Sequence, residues 1–157
     1  MRPLFLLVLG VGLALAGSSA TDASGPIAQR TPGAVGVSLR DGVGYASVSR
    51  RGSLLIRLGR GRIAITDLPD GPPPSVTCDR SGRRPSSSTV VYRGRGVSCR
   101  VFGGPWRVRM WGRNIDADGV VRGYLALDRE GVQGRFAIDG QGYRLWPASR
   151  TRFRLAD

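Results

Sequence analysis

Apolar and polar residues alternate in short segments along most of the chain after residue 34. In the segments 54–58, 63–65 and 106–111 every second residue is apolar, and arginine occupies many of the positions between. A period of two is typical of strands with one buried and one wet face. Glycine, Asp-Gly or proline separates the segments. The pattern predicts an all-β fold: an antiparallel sandwich or partly open barrel of about eight to ten short strands.

Glycine-rich connections join these segments into candidate hairpins. The tripeptide 59–61 predicts a turn between 53–58 and 62–68, and 103–105 predicts a second turn. A third, looser pair comprises 123–131 and 134–138. Because the hairpins resemble one another, a short β-solenoid is kept as an alternative architecture. The predicted core comprises Leu54, Ile56, Leu58, Ile63, Ile65, Val108, Met110, Leu125, Leu127, Phe136 and Ile138.

Three stretches interrupt the alternation. The proline-rich segment 69–74 cannot be a central strand, and the Ser/Arg-rich segment 81–88 predicts a mobile loop. Residues 21–34 are small and polar, which predicts a flexible lead-in. The remainder, 35–157, is of a length that suits a single β domain.

The first twenty residues have the pattern of a secretory signal peptide. Arg2 precedes an apolar run over 4–15, and the small residues Ser18 and Ala20 stand where signal peptidase cuts. The run is too short to cross a hydrocarbon layer of ~30 Å. The sequence therefore predicts a secreted or envelope protein with no transmembrane segment in the mature chain. An uncut membrane anchor is the alternative.

The chain has two cysteines, Cys78 and Cys99. In an exported protein an even count predicts a disulfide, here closing a loop of about 20 residues and stabilising by roughly 3 kcal/mol. Two unpaired buried thiols are the alternative.

The formal net charge is +13, and all 24 basic residues are arginine. Loss of Arg2 with the signal lowers the charge to +12, which favours acidic partners outside the cytoplasm: an acidic envelope polymer or an anionic surface. The absence of lysine and the single asparagine, Asn114, indicate a genome poor in A and T, so part of the arginine content reflects codon supply. A specific nucleic-acid partner is not expected for an exported protein.

Missing residue types exclude several chemistries. Without histidine there is no His-dependent triad or His-ligated metal site, and without lysine there is no phosphate-loop lysine or Schiff base. No cofactor is predicted.

Arg107, Arg109 and Trp111 fall on one face of a predicted strand. A wet face with two guanidinium groups beside an indole suits an acidic glycan. The leading hypothesis is a non-catalytic module that binds an acidic polymer there.

Two acidic motifs offer alternatives. Asp128 and Glu130 could serve a hydrolase, although a solvated turn explains them as well. Asn114, Asp116 and Asp118, followed by a glycine, match the start of a calcium loop, so a calcium-stabilised β domain is a third hypothesis. The position that normally carries a bidentate glutamate is Leu125.

In overall texture the chain resembles small exported β-rich proteins of bacteria with G/C-rich genomes. The features that carry the resemblance are the Gly-Arg-Gly pieces, the segment 102–109 and the segment 142–147. The resemblance implies a β-rich exported domain and no particular activity.

Overall fold

The structure, a computed structural model, describes residues 33–156. The predicted signal peptide and residues 21–32 of the predicted lead-in lie outside the described residues. The strands are β1 (Val35–Asp67), β2 (Ser75–Cys78), β3 (Arg83–Ser86), β4 (Thr89–Arg129), β5 (Arg135–Ile138), β6 (Arg144–Leu145) and β7 (Thr151–Ala156). They join one antiparallel sheet, and 33–156 contains no helix, which confirms the all-β prediction.

Two strands dominate this sheet. β1 has 33 residues and β4 has 41, whereas alternation broken by glycines had predicted many short strands. One ladder pairs 35–66 with 89–121, and a second ladder pairs 44–67 with 106–129. The two long strands therefore pair with each other along both of their edges. The sheet is not closed into a barrel.

In the second ladder β1 and β4 pair again, with the register shifted by 17 residues along β1. Val108 lies between Val48 and Ile65, which are 17 residues apart. Two strands can meet again on their opposite edges only if the pair is wound into a coil. All ladders in the described residues are antiparallel, whereas successive turns of a parallel β-helix pair in parallel. The solenoid alternative is therefore not adopted.

Glycines form the bends of this coil. Gly94, Gly61, Gly112 and Gly44 lie side by side across adjacent strand segments, with φ values of 143°, 147°, 147° and 122°. A Cβ atom on Gly61 would overlap the carbonyl oxygen of Trp111. The bend therefore needs glycine for its positive φ and for the close backbone approach.

The three predicted hairpins are wrong. Segments 59–61 and 103–105 are bends within β1 and β4, and the chain continues past each of them in the same strand. The third pair does not form either, because β5 pairs with β1 instead of with the end of β4. A glycine with positive φ serves a bend inside a strand as well as a turn between strands, so the local sequence does not distinguish the two.

The inward-facing side chains of the coil form one hydrophobic core. Ten of the eleven predicted core residues are buried, and Ile138 is half-buried and packs against them. Trp106 and Trp146 are the largest fully buried side chains. Period-two alternation therefore assigned the buried face correctly even where the strand boundaries were wrong.

The predicted disulfide is present. Cys78 on β2 stands directly opposite Cys99 on β4, and their sulfur atoms are 2.06 Å apart. Beyond it, the Asp79 amide donates to the Ser98 carbonyl at 3.0 Å. The bridge fastens a short edge strand to β4.

The predicted loop 81–88 is only partly irregular. Arg83–Ser86 forms β3, which pairs with the start of β4, whereas the sequence had predicted a loop over these four residues. Every side chain of 81–88 is exposed. Pro85 is tolerated because an edge strand can leave one backbone position without a donor.

We expect Gly61→Ala to lower the free energy of unfolding by about 2–4 kcal/mol, because the substitution adds both positive-φ strain and a backbone clash. Urea unfolding measures the change. Gly142→Ala is the matched control, since Gly142 has no positive φ and a Cβ atom added there would meet no other atom within 4 Å. A loss as small as the control's would contradict the role of Gly61 as a bend.

We expect the double variant Cys78→Ala, Cys99→Ala to lose about 3 kcal/mol of stability, because the open chain gains conformational entropy when unfolded. Urea unfolding of the wild type under reducing conditions should give the same midpoint as the variant. An unchanged midpoint in both would rule out a stabilising bridge.

Candidate functional site

The predicted binding residues lie together on the outer face of β4. Arg107, Arg109 and Trp111 point outward and are half-buried, while Val108 and Met110 between them point into the core. The placement that alternation predicted for these three residues is therefore observed.

Trp111 is flanked by residues from two other strand segments. The register places Arg62 on one side and Tyr45 on the other. The Arg62 guanidinium carbon is 4.2 Å from the centroid of the Trp111 ring, and the Tyr45 ring centroid is 5.3 Å away at a tilt of 54°. The cation that covers this indole is thus Arg62 of β1, which is not one of the predicted binding residues.

Two more arginines cover rings on the same side of the molecule. Arg150 lies 4.2 Å from the centroid of the Tyr45 ring, and Arg152 lies 3.6 Å from that of Tyr124. A guanidinium that rests on a ring is held in place while its N–H edges remain available to an anion. We call this surface the arginine face, defined as Arg62, Arg107, Arg109, Arg150 and Arg152 with the rings of Tyr45, Trp111 and Tyr124.

At the centre of the arginine face, Arg107 and Arg109 have no acidic partner among the described residues. Arg109 has Ala64 and Ser47 as its cross-strand neighbours, so no long side chain stands opposite it on either adjacent strand segment. Within residues 33–156 neither Arg107 nor Arg109 has a hydrogen-bond or ion-pair partner. Guanidinium groups in this state carry their full charge to any acidic ligand.

Five residues of the arginine face were not predicted as binding residues from the sequence: Arg62, Arg150, Arg152, Tyr45 and Tyr124. Their segments alternate as strands should, with Arg152 and Arg154 around Phe153 as the plainest case. Alternation assigns a strand residue to one face of its strand. It did not show that these residues meet, because that depends on the register of distant strands.

The calcium-like motif lies on a strand instead of in a loop. Asn114, Asp116 and Asp118 are part of β4, and Asp116 accepts the backbone N–H of Asp41 at 2.8 Å. Within 33–156 no three His, Cys, Asp or Glu residues are close enough to hold a metal ion. Asn114 has a positive φ of 52°, but the residues that follow it are paired within β4 and do not bend around one cation as a calcium loop does, so the resemblance does not extend to conformation.

Asp118 already has a cationic partner. Arg40 donates two hydrogen bonds to its carboxylate, at 2.7 and 2.9 Å, and the Ser38 hydroxyl donates a third at 2.5 Å. Partial burial would raise the pKa of Asp118, but the hydrogen bonds from Arg40 and Ser38 outweigh that effect and lower the pKa below its usual value. The same pairing raises the pKa of Arg40.

Asp128 and Glu130, the residues of the hydrolase alternative, lie at and just beyond the end of β4. Asp128 is half-buried on the outer side of β4 opposite Tyr45, and Glu130 is exposed just past the end of that strand. Neither residue lines the groove over Gly36 and Val120. Nothing in their surroundings favours catalysis over a solvated strand end.

A groove of about 970 Å³ lies farther along the same strands. Its floor includes Gly36 and Val120, which are cross-strand partners, and its walls include Phe102 and Tyr143. These two rings are 46% and 49% exposed, which is high for large apolar side chains. The groove shares no residue with the arginine face.

No protein-family model matches the chain, and no curated protein or solved structure is detectably similar to it. Among residues 33–156 there is no helix able to cross a membrane.

The Asp118–Arg40 pair should make stability depend on acidity. Because the pKa of Asp118 is lower when folded, its contribution is complete above about pH 4 and is lost as the pH falls through the folded value. We expect the stability difference between wild type and Asp118→Asn to shrink between pH 6 and pH 2. Urea unfolding across that range measures it.

Arg40→Gln should behave like Asp118→Asn, and the double variant should be no less stable than either single variant. If the stability difference between wild type and Asp118→Asn stays constant with pH, the pair does not act through the ionised carboxylate of Asp118.

Proposed function

We propose that this protein is a non-catalytic module, secreted or held in the cell envelope, that binds an acidic polymer through the arginine face. The observation that carries the proposal is the set of three rings, each covered by a guanidinium, around Arg107 and Arg109. Arginines spread over three strands and the segment before β7 present their charges on one side of the sheet.

The rings hold the arginines in place for the ligand. Trp111 has Arg62 over its ring and Tyr45 against it, which leaves little of the indole open to stacking by a sugar. Recognition would therefore depend on N–H groups that donate to carboxylate, sulfate or phosphate oxygens. This favours a polyanion over a neutral glycan.

The chemistry of the rest of the chain supports a partner outside the cytoplasm. The disulfide between Cys78 and Cys99 persists in oxidising compartments, and the leader-like first twenty residues point the same way. Acidic wall and surface polymers are the polyanions found there.

We expect Arg107→Gln, Arg109→Gln to weaken binding to a polyanion by about tenfold, because two charge-assisted hydrogen bonds are lost. Affinity for polygalacturonate, dextran sulfate and polyphosphate is measured by titration, with uncharged dextran as the blank. Arg83→Gln, Arg84→Gln is the matched control, since it removes the same charge from the exposed strand β3.

Equal losses of affinity in the two variants would mean that net charge alone drives binding, and the arginine face would not be the site.

The fluorescence of Trp111 gives an independent test of where the polyanion binds, because Trp106 and Trp146 are 0% and 1% exposed. A bound polyanion should change the tryptophan fluorescence of the wild type and leave that of Trp111→Phe unchanged.

A further inference from the structure

The groove beside Gly36 is hollow because the outer face of the sheet lacks side chains there. Val120 points outward between Ser53 and Gly36, and Gly36 contributes only backbone. The rings of Phe102 and Tyr143 stand at the sides. Apolar surface that stays open around a cavity of this size is the usual form of a small-molecule site.

The charge at the groove that is not already paired is positive. Asp118 lines the groove, but Arg40 and Ser38 already satisfy its oxygens. Two arginines, Arg51 and Arg122, also line the groove. Arg51 is exposed, and its guanidinium donates one hydrogen bond, at 3.0 Å, to the carbonyl oxygen of Asp70. A carbonyl accepts from a guanidinium without neutralising it, so Arg51 keeps its positive charge at the groove.

We propose that this groove binds a monomeric amphiphile with an apolar tail and a single anionic head, of the fatty-acid class. The tail would lie over Gly36 and Val120 between the two rings, and the carboxylate would face Arg51. The match is one of charge and polarity, because the groove is largely apolar, two arginines line it and its own carboxylate, Asp118, is already paired with Arg40. The proposal is independent of the arginine face.

Gly36 allows a clean test, because it has no positive φ and an added Cβ would meet its nearest atom, the Cα of Asp139, at 3.9 Å. A side chain can therefore begin at position 36 without straining the backbone, and we expect a leucine there to extend over the groove. Ser86→Leu is the matched control, since it adds the same side chain to the exposed strand β3.

The experiment is isothermal titration with decanoate below its micelle concentration, compared with decan-1-ol. We expect decanoate to bind the wild type and Ser86→Leu equally, and Gly36→Leu to bind it about tenfold or more weakly because the tail is excluded. Arg51→Gln should weaken decanoate by a factor of several and leave decan-1-ol unchanged. Thermal unfolding of Gly36→Leu should match that of the wild type.

Failure of decanoate to bind, or equal binding by Gly36→Leu, would overturn the proposal. Equal affinities for decanoate and decan-1-ol would overturn the assignment of an anionic head. Phosphatidylglycerol vesicles test whether the anionic amphiphile is instead a membrane lipid. If the wild type binds vesicles, Gly36→Leu does not, and decanoate binds neither, the ligand would be a membrane surface and not a free amphiphile. Arg107→Gln, Arg109→Gln should leave decanoate binding intact. The groove proposal and the arginine-face proposal can therefore fail independently of each other.

Discussion

Backbone hydrogen bonding between β1 and β4 along both edges of each strand is the constraint on which the rest of the structure depends. A long strand exposes a row of donors and acceptors on each side, and in most sheets different strands satisfy the two rows. Here one partner satisfies both over residues 44–66 of β1 and 106–121 of β4, because the pair winds back on itself after 17 residues. The coil that results encloses the apolar face of both strands and leaves the arginines outside.

The winding also decides where glycine is required. Four glycines in register, from Gly94 to Gly44, let neighbouring turns of the coil bend at the same place and approach closely. The absence of a side chain has another consequence at Gly36, where the backbone is ordinary but the outer surface is hollow. The same residue type thus shapes both the frame and the groove.

Coiling brings distant residues into rows on the outer surface. Arg62, Trp111 and Tyr45 are neighbours because the two ladders place three segments side by side. A chain with a net charge of +13 carries a cost of self-repulsion, and rings beneath several guanidiniums offset part of it while holding them in place. The arginine face is therefore a product of register as much as of composition.

Much of the fold could be predicted from local pattern. Ile56 and Met110 were assigned to the core because inward and outward positions alternate whatever the strand pairs with. The predicted turns at 59–61 and 103–105 failed because a glycine that bends a strand and a glycine that ends one look alike in sequence. Arg107 and Arg109 could be placed on one face, but the sequence held no signal for Arg62 as the partner of Trp111.

By itself the sequence determined the β class, the inward and outward faces, the pairing of the only two cysteines and the absence of histidine and lysine chemistry. These properties follow from a residue's immediate neighbours or from a count. Tertiary structure alone decided that β1 and β4 meet twice, which arginine covers which ring, that Asp118 is paired with Arg40, and that a groove opens over Gly36. Each of these depends on contacts between residues far apart in the chain, and register, which no local pattern encodes, sets those contacts.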